Sequence, residues 1–324
     1  MTFSFLTEQK IQYLCSVRTF YIAVAALSLL CASCVNQRSK KVESSPAAYT
    51  LEIPNPPVMM DPAGQRDFLC RHFWDNMDFS DTSIPERIDS TAFRNLFVNY
   101  AALLQEQPDG GVAQMKALME KASQNAPMLA LFSGIGRMMF FDPNSPLRND
   151  DLYLTVLNAI SSSPLVDDES REEAAWTAEL VSRNRPGTPA EDFSYLTIQN
   201  RPGSLYGIKA PYTLVFFSNP GCNMCREIRE KMAASSLITD LVRKRKLAVI
   251  ALYPDEDIEL WQSYKDEIPS DWINARDPGS TLHASGLYDL KAIPSLYLLD
   301  SDKTVLLKDC TDVRLIEAAL AAEG

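Results

Sequence analysis

The sequence predicts an α/β C-terminal domain preceded by an all-α helical domain, and three observations support that reading. The chain has 324 residues, which is long for one hydrophobic core. From about Gly64 to Asn184, apolar residues recur at helical spacing and strand alternation is nearly absent. After "RNRPGTPAEDFSY", short apolar runs bounded by Pro, Gly and Asp alternate with helical segments, the pattern of a mixed sheet with helices on its faces. A hydrophobic content of 46% and a charged content of 23% fit a globular protein. The net charge of -11 offers no basic face to nucleic acid. No repeat of fixed period, P-loop or dinucleotide-binding glycine pattern is present.

Taken in order, the chain opens with Arg18 followed by "TFYIAVAALSLLCASC", a basic residue, an apolar run and small residues. That layout is a secretory signal, and its apolar run is short for a membrane span, which needs roughly 20 residues. The closing "CASC" resembles a bacterial lipobox, with Cys31 where Leu is usual. The resemblance implies cleavage before Cys34 and a lipid on its thiol. A plain signal peptide or an uncleaved anchor is the alternative, and each version puts the body outside the cytoplasm, in the cell envelope. Residues 1–33 are therefore read as signal. The polar, then proline-rich stretch 34–62 is read as an extended tether.

The helical domain is expected over 63–185. "STAFRNLFVNYAALLQEQPDGG" aligns Phe93, Leu96, Phe97, Tyr100, Leu103 and Leu104 on one face, with Ser90 as cap and Pro108-Asp109-Gly110 as stop. "VAQMKALMEKASQNAP" repeats the pattern through Met115, Leu118, Met119 and Ala122. "NDDLYLTVLNAISSSP" and "DDESREEAAWTAELVSRNRPG" open on acidic residues that suit a helix N-terminus. Cys70 and His72 lie close enough to share a metal. Two ligands without a second pair make a site only weakly, and a helix facing the core with Phe68, Leu69, Phe73 and Trp74 is the simpler account. Met115, Met119, Met128, Met138 and Met139 read as core filler. This half holds no catalytic constellation.

In the second domain, 186–324, "YTLVFF", "KLAVIALYP", "WINARD", "SLYLLD" and "TVLLKD" read as strands. "CREIREKMAASSLITDLVRKR", "EDIELWQSYKDEI", "STLHASGLYDL" and "DVRLIEAALAAEG" read as helices, and "RNRPGTP" (183–189) as the linker.

The chain has seven cysteines. Cys15 and Cys31 leave with the signal and Cys34 is the lipidation candidate. That leaves Cys70, Cys222, Cys225 and Cys310, too few for a disulfide scaffold in a body this large. Cys222 follows the strand "YTLVFF" and the turn "SNPG", and helix-permissive residues follow it. A thiol at a helix N-terminus faces free backbone N–H groups that favour its thiolate. Cys225 lies about one turn on, within bridging reach. An exposed first thiol and a buried second one suit attack, mixed disulfide and resolution.

With "GTPAEDFSYLTIQNRPGSLYGIKAPYTLVFFSNPGCNMC" and "LYDLKAIPSLYLLDSDKTVLLKD" in view, residues from about 186 resemble the membrane-tethered TlpA/ResA-like thioredoxin-fold oxidoreductases. The resemblance implies an α/β thioredoxin-like C-terminal domain, Cys222 as nucleophile and Cys225 as resolving thiol. It also implies a cis peptide at Ile293-Pro294, against which the partner chain docks, and no cofactor or metal. Implied partners are exported proteins bearing disulfides, an electron donor or acceptor at the membrane, and the membrane itself through the lipid. The helical half resembles an uncharacterised domain that precedes such modules in Gram-negative lipoproteins, which supplies an architecture and no activity; it is expected to position the dithiol or select partners.

This chain departs from the pattern in having Gly221 before the first cysteine and Asn223-Met224 between the two, which leaves the direction of electron flow open. Phe216 stands where cytosolic thioredoxins have a buried Asp. Asn219 stands where peroxide reductases need Thr. The competing readings are a metal carrier, for which His283 is the sole histidine of this half, and an interaction module with a structural disulfide. Cys70 and Cys310 are expected to be free, buried thiols.

Overall fold

The computed structural model describes residues 47–322. The expected signal, Cys34 and the start of the tether lie outside the described residues. Tyr49 to Ile53 lie against the helical half, so the stretch read as a tether is docked there, while Val58 and Met59 beyond them are exposed. Tyr49 N donates to Arg87 O at 3.1 Å, and Asn76 Nδ2 donates to Glu52 O at 2.9 Å. Tyr49, Leu51 and Ile53 alternate along "YTLEI" and turn one apolar face onto the helices.

Seven helices make up the first half among the described residues: α1 (Pro62–His72), α2 (Ile84–Arg87), α3 (Ser90–Gln105), α4 (Pro108–Ala122), α5 (Ala126–Phe140), α6 (Asp150–Ser161) and α7 (Asp168–Ser182). Asp61, Asn125, Asn149 and Asp167 each cap a helix by accepting a backbone N–H. Two expected boundaries move. The cap of α3 is Asp89, whose carboxylate accepts Ala92 N at 2.8 Å, and Ser90 is already helical. Pro108 opens α4 instead of stopping α3, because a first-turn proline has no N–H to lose.

The core is aromatic. Trp74 and Phe132 meet edge-on with centroids 5.1 Å apart, and Phe93 and Phe132 at 5.4 Å. Met115, Met119, Met128 and Met139 are buried there, whereas Met138, expected with them, is 43% exposed. Phe73 and Trp74 are buried as expected but lie past the end of α1. His72 turns outward, with Nδ1 2.6 Å from Asp75 Oδ2.

The second half is a seven-stranded sheet of order β2-β1-β5-β4-β3-β6-β7. Its strands are β1 (Ser194–Thr197), β2 (Pro202–Ser204), β3 (Tyr212–Phe217), β4 (Leu247–Tyr253), β5 (Ile273–Arg276), β6 (Ser295–Leu299) and β7 (Val305–Leu307). β3, β4 and β5 run parallel, and β6 lies antiparallel to β3 with Phe216 opposite Leu296. Alternation along β3 sends Leu214 and Phe216 to one face and Val215 and Phe217 to the other. The first face is covered by α8 (Asn223–Ala234), α9 (Ser236–Arg243) and α12 (Val313–Ala322). α8 and α9, expected as one helix, are split at Ser235, which caps α9 and donates to Glu317 Oε1 at 2.5 Å. Two further expected helices are short, α10 (Ile258–Ser263) and α11 (Thr281–Ala284).

Residues 183–189 break the helix as expected and are held fast between the halves. Arg183 Nη1 donates to Ser285 O and Gly286 O at 2.9 and 2.6 Å, and Asn184 Nδ2 donates to Leu287 O at 2.7 Å. Gly286, at φ +55, lies so close to Trp176 of α7 that a Cβ there would stand 2.7 Å from the ring. Lys308 Nζ pairs with Asp150 at 2.7 Å, and Arg148 Nη1 with Asp309 Oδ2 at 2.8 Å. Lys291 Nζ sits 4.3 Å above the Phe141 ring. The helical half thus grips 285–291 and 308–309, which flank the Ile293-Pro294 segment on either side in sequence.

Candidate functional site: a dithiol at a strand-to-helix turn

β3 is apolar because it is covered on both faces, and it ends at Phe217. The turn Ser218–Gly221 follows, with Gly221 at φ +74, a conformation that glycine takes without Cβ strain. Cys222 is the N-cap of α8 and its Sγ accepts Cys225 N at 3.2 Å. Cys222 Sγ also reaches Ile293 O at 3.8 Å, and the Ile293-Pro294 bond is cis. The structure therefore brings Cys222, Cys225, Ile293 and Pro294 together, and all four cysteines between residues 47 and 322 are free thiols.

The two sulfurs differ. Cys222 is half-buried and Cys225 is 2% exposed among Phe216, Ile228 and Leu296. Burial, and then the hydrogen bond with Cys222, push the Cys225 thiol up to about 12, while the Asn219 backbone pulls against that rise. Met224 between them is 56% exposed. A half-buried sulfur backed by a fully buried one, with an extended segment alongside, is an arrangement that can support thiol-disulfide exchange.

Cys310 packs against the same apolar cluster as the dithiol, with its N donating to Leu296 O at 2.9 Å and its Sγ to Asp312 O at 3.6 Å. It is half-buried, not fully buried as expected. Cys70 is buried within α1. Among the described residues no group of three or more His, Cys, Asp or Glu could hold a metal ion. No described helix is long and apolar enough to cross a membrane.

Asn219 and His283 stand out in the sequence for other reasons, and their shared partner Asp255 does not stand out at all. Asn219 Nδ2 donates to Asp255 Oδ2 at 2.7 Å, and His283 Nε2 stands 3.7 Å from Asp255 Oδ1. Beneath the turn lies a cavity of ≈30 Å³ walled by Asn219, Arg229, Trp261 and Tyr264. The Tyr264 hydroxyl would be 3.6 Å from a Cβ at Gly221. Nothing local in the sequence announces the two Asp255 contacts, since they join residues 28 and 36 apart.

Comparison with known proteins places this architecture. Residues 31–184 match the family model of a domain of unknown function, DUF5106. The crystal structure of a thioredoxin-like protein from Bacteroides caccae matches at 34% identity and a TM-score of 0.79, over 86% of this chain and 100% of that one. The chain belongs to this thioredoxin-like family. Its helical half is the DUF5106 domain and its mixed sheet the thioredoxin-like domain. The C-terminal domain of an uncharacterized protein from Bacteroides fragilis matches at 42% identity over 43% of this chain and 98% of that one, with a TM-score of 0.42. The thioredoxin domain of a thiol-disulfide oxidoreductase from Bacteroides vulgatus matches at 18% identity over 43% and 96%, with a TM-score of 0.37. No curated protein matches this chain.

Proposed function

We propose that this thioredoxin-like protein is a thiol-disulfide oxidoreductase of the cell envelope, anchored by a lipid on Cys34, acting on disulfides of exported proteins. The unequal burial of Cys222 and Cys225 at the start of α8 is the observation that supports it. In the reductive direction the Cys222 thiolate attacks a substrate disulfide R–S–S–R′, forming Cys222–S–S–R and releasing R′–S⁻, which takes a proton from solvent. Cys225 then attacks Cys222 Sγ, the bond to R breaks, and R leaves as R–SH carrying the Cys225 proton. The dithiol loses two electrons and the substrate gains them. A donor at the membrane restores the dithiol by the reverse exchange.

Docking is proposed along Ile293-Pro294, whose Ile293 carbonyl faces the Cys222 sulfur. A substrate strand laid there brings its sulfur toward Cys222 without reordering the protein. The grip of the helical half on 285–291 and 308–309 supports a role for that half in holding this segment.

The test is reduction of a protein disulfide by single variants. Cys222→Ser is expected to abolish turnover, Cys225→Ser to accumulate mixed disulfide, and Cys310→Ser to leave turnover within about twofold. Full turnover in both Cys222→Ser and Cys225→Ser overturns the reading. Stoichiometric Cu(I) binding without turnover would favour the carrier.

A further inference from the structure

The resolving half of the proposed exchange has a geometric difficulty. Cys225 is closed in on all sides, so its sulfur meets Cys222 only if the turn before α8 holds both at a fixed separation. The backbone of that turn is anchored at Asn219. Cys222 N donates to Asn219 O at 3.3 Å, and the Asn219 backbone lies near enough to the Cys225 thiol to oppose the upward shift that burial causes. The main chain of one residue is therefore bonded to Cys222 and bears on Cys225.

Its side chain is fixed in turn. Asn219 Nδ2 donates to Asp255 Oδ2 at 2.7 Å, a charge-assisted hydrogen bond reaching from the end of β3 to the segment after β4. The other side-chain atom, Oδ1, is buried with no partner among the described residues, and Asn219 lines the ≈30 Å³ cavity beneath the turn. That volume admits one ordered water, which would satisfy Oδ1. Asp255 itself is half-exposed, and His283 on α11 faces its second oxygen.

We infer that the Asn219–Asp255 hydrogen bond is a positioning device for the resolving step, setting the turn so that Cys225 Sγ is presented to Cys222 Sγ. The inference rests on the redox reading above and extends it to two residues outside the Cys-x-x-Cys motif. It acts on the second exchange, in which the Cys225–Cys222 bond forms, the Cys222–R bond breaks, and the Cys225 proton leaves on R–SH. The first attack needs only the outward-facing Cys222 and is left alone.

The experiment separates the two steps in the full chain. Attack is timed by mixed-disulfide formation in a Cys225→Ser background, using a peptide disulfide with a chromogenic leaving thiol. Resolution is timed by release of the second thiol in proteins that keep both cysteines. Asn219→Ala and Asp255→Ala are expected to slow resolution about tenfold, the weight of one charge-assisted hydrogen bond. Attack should stay within about twofold. Asp255→Asn still offers an oxygen to Asn219 and is expected to restore most of the rate.

Resolution at the wild-type rate in both alanine variants overturns the inference, as does equal slowing of the two steps. Failure of Asp255→Asn to restore the rate also overturns it, since a charge effect would then replace positioning. Asp255 is half-exposed, so its variants keep the test available if Asn219→Ala does not fold. Loss of the redox reading looks different, because Cys222→Ser would then still reduce the peptide.

Discussion

Each half of the molecule has a cysteine near a histidine and an aspartate, and only one arrangement resembles a site. In the helical half, Cys70 is buried inside α1, while His72 and Asp75 face outward and pair with each other and with Lys121. In the sheet half, Cys225 lies one turn behind Cys222, with Asp255 and His283 reaching the turn through Asn219. The residue types are the same, and their place in the backbone differs. A helix interior satisfies its own N–H groups and points neighbouring side chains to different faces. A helix start after a buried strand leaves N–H groups free and sets two thiols on one face.

The comparison is broken or sharpened by substitution. The largest contrast is catalytic: Cys222→Ser is expected to lower disulfide reduction by more than about a thousandfold, and Cys70→Ser to leave it within about twofold. Loss of activity from Cys70→Ser in a folded protein would show that the helical cysteine matters.

Next comes the core of the helical half. Phe132 is fully buried between Trp74, Phe79 and Phe93, so Phe132→Ala is expected to cost about 3–5 kcal/mol in denaturant unfolding. If the halves unfold together, the thioredoxin-like half loses its structure in the same transition.

A smaller effect is expected at their interface. The Asp309 side chain is 8% exposed and pairs with Arg148, so Arg148→Ala strands a buried carboxylate and should cost about 1–3 kcal/mol. A rise in substrate KM with kcat unchanged would tie this grip to docking.

The last contrast is a pH effect, confined to alkaline solution. The Cys225 thiol moves from 9.0 up to about 12. Between those values the unfolded chain has released the proton while the folded chain keeps it. The stability contributed by the neutral buried thiol is therefore whole below 9.0 and is lost as pH rises toward about 12. Denaturant unfolding of reduced protein is expected to weaken across that window more in wild type than in Cys225→Ser. Parallel curves would mean that Cys225 is not held as a buried thiol.

Much of this was legible in the residues themselves. Helical periodicity marks the first half, and strand–helix alternation marks the second. The run "YTLVFFSNPGC" marks a buried strand breaking into a helix. The misreadings share a cause. Ser90 and Asp89 are both good caps, and Pro108 serves a stop or a start equally well, so packing chose between them. Met138 groups with the core methionines by residue type, yet it lies about 100° round the helix from Met139 and faces out. Tyr49 to Ile53 looked like tether because their partners, Arg87 and Asn76, lie more than twenty residues away.

The sequence by itself determined the two-part architecture, the dithiol at a helix start and the Ile293-Pro294 segment. The architecture repeats a local periodicity over each half, the dithiol lies in a window of about a dozen residues, and Ile293-Pro294 follows from the resemblance. The burial of Cys225 behind Cys222 was also expected from the sequence, and only the tertiary structure decided that Asn219 meets Asp255. It also decided that Arg148, Lys308 and Phe141 grip the loops flanking Ile293. Those pairings join faces far apart in the chain, and they exist because burying the two sides of one sheet leaves few ways to bring its loops together.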